Sequence, residues 1–158
     1  MLRERISKTL ILTSIFILIF FLLGPLAPIN EPVYGYSGNS LVYIGVPVYL
    51  SFSAFLAVIS FIISAILFWG SKRAILNYLV DSLGFSAIFL NYLNFLSVYE
   101  TWRPEMYVIP FFIVVVYHNY GTTVASMSFD WGQFIALVLA VKYILEWRRG
   151  KTKAEANG

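Results

Sequence analysis

The sequence predicts an all-α integral membrane protein, a four-helix transmembrane bundle with a small extracytoplasmic β-rich cap, and three observations predict it. The 158 residues are 59% apolar, 18% aromatic and only 12% charged, where soluble domains carry roughly 25% charged residues. Four stretches meet or approach the about 20 apolar residues that a helix needs to cross the hydrocarbon core: Thr9 to Ile29, Phe52 to Trp69, Ala74 to Val98 and Trp131 to Trp147. Nine of the eleven lysines and arginines fall in three patches: Arg3, Arg5 and Lys8; Lys72 and Arg73; Arg148, Arg149, Lys151 and Lys153. The positive-inside rule then expects a multi-pass protein of the cell membrane with both termini and the central turn in the cytoplasm. Residues 1–149 form one transmembrane domain, with outer segments at 30–51 and 99–130, and 150–158 are expected to be a disordered cytoplasmic tail.

The first helix starts like a secretory signal peptide, but GPLAPINEP offers no small-x-small cleavage site, so it is read as an uncleaved span. Gly24-Pro25 and Pro28 break its outer end, since proline lacks the amide donor. The segment that follows, EPVYGYSGNSLVYIGVPVYL, mixes prolines and glycines with tyrosines and β-branched residues. It reads as strand around an SGNS turn, with Pro47 tolerable only at an edge or bulge.

The second helix presents Ser53, Ala57, Ser60 and Ser64 at steps of four, three and four, on one face. Such small residues let a neighbouring helix approach closely where lipid gives no hydrophobic drive to associate. Gly70-Ser71-Lys72-Arg73 is a tight turn, so the third helix returns antiparallel. That helix places Asn77, Asp81, Gly84 and Asn91 on one stripe, with Asn94 beside it. An ionisable group at this depth costs roughly 2.5 to 3.5 kcal/mol on insertion scales, so the stripe should face the interior and Asp81 should have a partner.

From Glu100 to Asp130 the chain is harder to read. Met106 to Tyr117 is about twelve residues long, short for a span, and its Val-Ile-Phe-Tyr content followed by Asn119-Tyr120-Gly121 suits a β-hairpin. The rivals are a re-entrant helix and a fifth span, the latter disfavoured because it would put the basic tail outside. The last helix, WGQFIALVLAVKYILEW, carries Lys142 near its inner end.

Counted at 1.5 Å per residue from the basic residues at the helix ends, Asp81 lies roughly 12 Å deep and Lys142 roughly 9 Å deep. They are level, and an Asp81–Lys142 ion pair follows. Other fates stay open: Lys142 can snorkel to the surface, it can pair with Glu146 one turn away, or Asp81 can be protonated. Asn77, Asp81, Asn91, Asn94 and Lys142 are thus the candidate intramembrane polar site, and Ser53, Ala57, Ser60 and Ser64 the candidate helix-packing face.

No cysteine is present, which excludes disulfides, thiolate metal sites and cysteine nucleophiles. One histidine, His118, is a poor start for a metal or haem site, and no hydrolase, zincin or phosphate-loop motif occurs. No cofactor, metal or catalysis is expected. The basic patches lack the aromatic and glycine interleaving of nucleic-acid binders. A lone histidine and glutamine without cysteine fit the avoidance of thermolabile residues in thermophile proteins. In layout the chain is similar to the claudins, four-helix proteins with an outer β-cap, but it lacks their paired cysteines and tryptophan motif, so no function is carried over. The expected partners are the bilayer and other membrane protein subunits or a second copy of the chain. A non-catalytic accessory or assembly subunit of a membrane complex is the function expected, the alternative being a small transporter or ion-conducting homo-oligomer lined by the polar stripe.

Overall fold

A computed structural model describes residues 2–27, 34–37, 40–43, 48–71, 73–119 and 122–156. In chain order these form α1 (Leu2–Leu23) with a 3-10 turn at Gly24–Leu26, a hairpin of β1 (Tyr34–Ser37) and β2 (Ser40–Tyr43), α2 (Val48–Phe68), α3 (Ala74–Trp102), a meander of β3 (Glu105–Ile109), β4 (Phe112–Asn119) and β5 (Thr122–Phe129), and α4 (Trp131–Ala156).

Several boundaries differ from the sequence expectation, each for a local reason. α1 stops at Leu23, where Gly24-Pro25 opens a single 3-10 turn; Pro28 lies outside the described residues. α2 starts at Val48, so Val48 to Leu50 is helix where strand is expected. Strand propensity yields there to packing: Leu50 is buried and the Ser51 hydroxyl donates to Asn94 Oδ1 at 2.8 Å. Pro47, the residue before Val48, lies outside the described residues. α3 runs to Trp102 and is ended by Arg103 in the left-handed region at φ 49°, its amide donating to Tyr99 O at 2.7 Å, with Pro104 next. That is the usual αL stop followed by proline. α4 continues to Ala156, through the tail expected to be disordered. The alanines, lysines and glutamate of that tail are good helix formers.

Met106 to Tyr117 is strand on both sides of a turn, not helix. β3, β4 and β5 pair in sequence order, all antiparallel. Asn119 pairs with Thr122, placing the second turn at 120–121, outside the described residues. Ile109 pairs with Phe112 across Pro110-Phe111, with Phe111 at φ 64°. Proline followed by a positive φ is the type II turn pattern, unusual with phenylalanine in the second place.

α3 is the central helix, packed on α1, α2 and α4. Asp81 meets Lys142 and Asn91 meets Asp130 just before α4, so α4 runs antiparallel to α3. Ser82 and Ser86 donate to the carbonyls of Thr9 and Thr13 at 3.1 and 3.2 Å, so α1 runs parallel to it. Both β segments consequently leave the bundle at the same end. The core joins Phe20 of α1, Ala57 and Phe61 of α2, Val80, Ala87 and Leu90 of α3, and Ile135 and Leu139 of α4. Gly84 lies where three helices converge: a Cβ there would meet Leu139 Cδ1 at 2.9 Å and Phe61 Cε2 at 3.0 Å.

The outside of the bundle is apolar: Leu18 and Leu22 of α1, Ile66 and Leu67 of α2, Phe89 and Leu96 of α3, and Leu137 and Ile144 of α4 are all exposed. Apolar surface on this scale marks a membrane or interaction surface. Three helical segments, Glu4–Leu26, Tyr49–Phe68 and Ala74–Glu100, are long and apolar enough to cross a membrane. The fourth expected span falls short of that apolarity. Lys142 and Glu146 fall in its C-terminal half and Arg148 directly follows it.

Candidate functional site

At the end of the bundle opposite the strands, three helices each contribute charge to one cluster. Asp81 of α3 is fully buried, its neighbours on the helix Val80, Ser82 and Leu83 buried with it. Lys142 Nζ of α4, itself only 3% exposed, donates to Asp81 Oδ1. Arg5 of α1 donates to Asp81 Oδ2 at 3.0 Å and reaches Glu146 at 2.9 Å, and Glu146 lies 3.8 Å from Lys142. The Arg5 guanidinium also stacks over the Tyr143 ring, 5.4 Å from its centroid. Two acids and two bases thus form a closed circuit of neutral total charge. Each buried charge would otherwise bear a desolvation cost of several kcal/mol.

Arg5 and Glu146 were not expected around Asp81. Arg5 reads as part of a topology signal, and only the parallel docking of α1 through Ser82 and Ser86 brings it level with Asp81. The spacing of Ser82 and Ser86 by one helical turn, beside the acid, is the signal in the sequence that could have shown which side α1 takes.

The rest of the stripe is dispersed along α3. The Asn77 amide donates to Ser71 O at 2.9 Å in the α2–α3 turn, leaving Oδ1 buried without a partner. Asn94 accepts from Ser51, as described. Asn91 donates to Asp130 Oδ1 at 3.0 Å, and the Tyr92 hydroxyl donates to Asp130 Oδ2 at 3.3 Å. Asp130 is fully buried and accepts the Gln133 amide at 3.1 Å, capping α4. Its own amide donates to Phe111 O at 2.8 Å, and Gln133 Oε1 accepts the Phe111 amide at 3.1 Å, so the type II turn is pinned to the start of α4. Gly132 makes room for this junction: a Cβ would meet Asn91 Nδ2 and Tyr92 Cε2 at 2.9 Å.

On the packing face, Ser53, Ala57 and Ser64 are buried and Ser60 is half-buried. The Ser53 hydroxyl lies 2.8 Å from both Phe20 O and Tyr49 O, tying α2 to α1. His118 is exposed on the sheet, 3.4 Å from Glu105 and 3.3 Å from the Thr123 hydroxyl. The Tyr107 hydroxyl and His118 hold the Glu105 carboxyl below its ordinary range. Among the described residues, no three His, Asp or Glu side chains come together as a metal set would.

Beside the ion cluster a groove opens between α1 and α4. Arg5, Ile6, Thr9, Leu10, Phe85 and Tyr143 line it, enclosing 380 Å³.

No protein-family model, no curated protein and no solved structure matches this chain.

Proposed function

We propose that this chain is a small multi-pass membrane protein that serves as a non-catalytic accessory or assembly subunit of a membrane complex. In this reading α4 is a fourth membrane helix, both termini face the cytoplasm and the strands form an outer cap. One observation carries the role: the polar side chains of the α3 stripe are turned to partners within the chain. Asn77 holds a turn, Asp81 sits in the four-residue ion circuit, Asn91 fixes the α4 cap, and Asn94 holds the start of α2. Residues spent on internal joints do not line a path for ions, and the exposed flank of α3 carries Phe85, Phe89 and Leu96 instead. What the bundle offers its surroundings is apolar helix surface, suited to lipid and to other membrane helices.

The topology rests on the clustering of the basic residues at one end. The fourth span is supported by the ion circuit, which turns Lys142 away from lipid while Phe134, Leu137, Val141 and Ile144 stay on the outside. Purification from native membranes in mild detergent, followed by reconstitution into liposomes, tests the role. The expected result is stoichiometric co-purification with other membrane proteins and no ion flux from the chain alone. A homo-oligomer that conducts, and whose flux falls on Asp81→Asn, would overturn it in favour of the conducting alternative.

A further inference from the structure

The groove between α1 and α4 has chemically distinct parts. At the ion-cluster end is Arg5, 30% exposed, which engages both Asp81 and Glu146 through one nitrogen, Nη2. A guanidinium carries five N–H donors in a fixed fork. Deeper along α1 the lining is apolar, with Ile6 and Leu10 facing Phe85 of α3, all exposed. Thr9, between Ile6 and Leu10 on α1, is 6% exposed, and its hydroxyl is buried with no hydrogen-bond partner among the described residues. Buried hydroxyls are nearly always satisfied, so this one calls for a partner from whatever fills the groove.

Arg5 lies nearest the start of α1, with Thr9 and Leu10 about one turn further along it, as the phosphate of a membrane lipid lies at one end and its glycerol linkage and chain beyond. We infer that the groove holds one membrane phospholipid with an anionic headgroup, its phosphate at the exposed part of Arg5, its glycerol oxygens at Thr9 and one hydrocarbon chain along Ile6, Leu10 and Phe85. Charge complementarity selects the headgroup. The start of α1 and the end of α4 bring the N-terminal and C-terminal basic patches to this same end of the bundle, and basic sites between membrane helices favour anionic headgroups. Size selects a lipid over a helix: 380 Å³ is at the scale of small-molecule sites, whereas a helix with its side chains is about 10–12 Å across over its whole length.

The inference rests on the bilayer placement of the bundle and not on the accessory role. Native mass spectrometry of the full chain, released from detergent micelles containing equal phosphatidylglycerol and phosphatidylcholine of the same acyl chains, tests it. One phosphatidylglycerol should be retained with about a fivefold preference, the factor one arginine near an anionic headgroup supplies. Leu10→Trp fills the groove without touching the ion circuit; it should abolish the preference while leaving the lipid-free melting temperature unchanged. Inorganic phosphate should not compete. Equal retention of the two lipids, a preference that survives Leu10→Trp, or full competition by inorganic phosphate would each overturn the inference. So would a chain dimer that Leu10→Trp dissociates, since the groove would then belong to a second copy. Release of the chain from membranes by alkaline carbonate without detergent would overturn the bilayer placement itself, whereas firm retention without a lipid preference would remove only the ligand.

Discussion

Asp81 has no access to solvent, and its two oxygens are divided between Lys142 and Arg5. Removing one partner of a buried pair leaves a charge without compensation and costs about 3–5 kcal/mol. Lys142→Ala should therefore cost more than loss of a surface lysine, and Asp81→Asn should cost a comparable amount. The double variant should be less damaging than the sum of the two, because neither charge is then left alone. Unfolding of the three variants in detergent measures this, and additive losses would deny the coupling. Gly132 is the corresponding point at the other end of α3. Gly132→Ala pushes Asn91 and Tyr92 off Asp130 and should cost about 1–3 kcal/mol, the penalty for leaving a buried acceptor unsatisfied. Asn91→Ala should reproduce most of that loss in the same unfolding measurement, and an unchanged stability for Gly132→Ala would show that the junction yields freely.

At the scale of elements, Arg103 ends α3 in a conformation that costs a non-glycine residue roughly 1–2 kcal/mol. Its side chain is exposed and only 3.9 Å from Glu100 at its closest. Arg103→Gly should accordingly raise stability by about 1 kcal/mol, read as a higher melting temperature; a fall would mean that the Glu100 contact outweighs the backbone strain. The elements were legible in the sequence where one signal dominated. Apolar runs marked the helices, and Asn119-Tyr120-Gly121 marked the gap between β4 and β5. The Pro110-Phe111 turn was not legible, because phenylalanine is not a left-handed residue by preference. It is held by distant partners, Asp130 and Gln133. The start of α2 was obscured by strand-like tyrosine and valine, and the end of α4 by charges that read as a tail. Depth counting put Asp81 level with Lys142, but no count along a single helix could say that Arg5 of α1 would join them. That depended on which flank of α3 received α1, a choice made by Ser82 and Ser86.

For the molecule as a whole, the sides on which the two ends of α4 lie distinguish four spans from three. The absence of cysteine makes that directly measurable. Single cysteines introduced at Ala125, exposed on β5, and at Thr152 can be probed with a membrane-impermeant maleimide on intact cells. On the four-span reading Ala125→Cys is labelled at once and Thr152→Cys only after permeabilisation. Labelling of both from outside would leave α4 on the outer surface and three spans in the bilayer.

The ion circuit also bears on how the chain is made. During synthesis α1, α2 and α3 leave the ribosome first, so Arg5 and Asp81 can meet before α4 exists. A lysine at the helix centre resists insertion by roughly 2.5–3.5 kcal/mol and one nearer the end by less, and α4 is the helix least able to offset such a cost by its own apolarity. On the four-span reading, Asp81 then acts as a receptor for a late-arriving helix, and the bundle supplies the insertion energy that the helix lacks. Asp81→Asn should therefore move the Thr152→Cys label to the outside in a fraction of molecules, a fault of assembly added to the loss of folded-state stability.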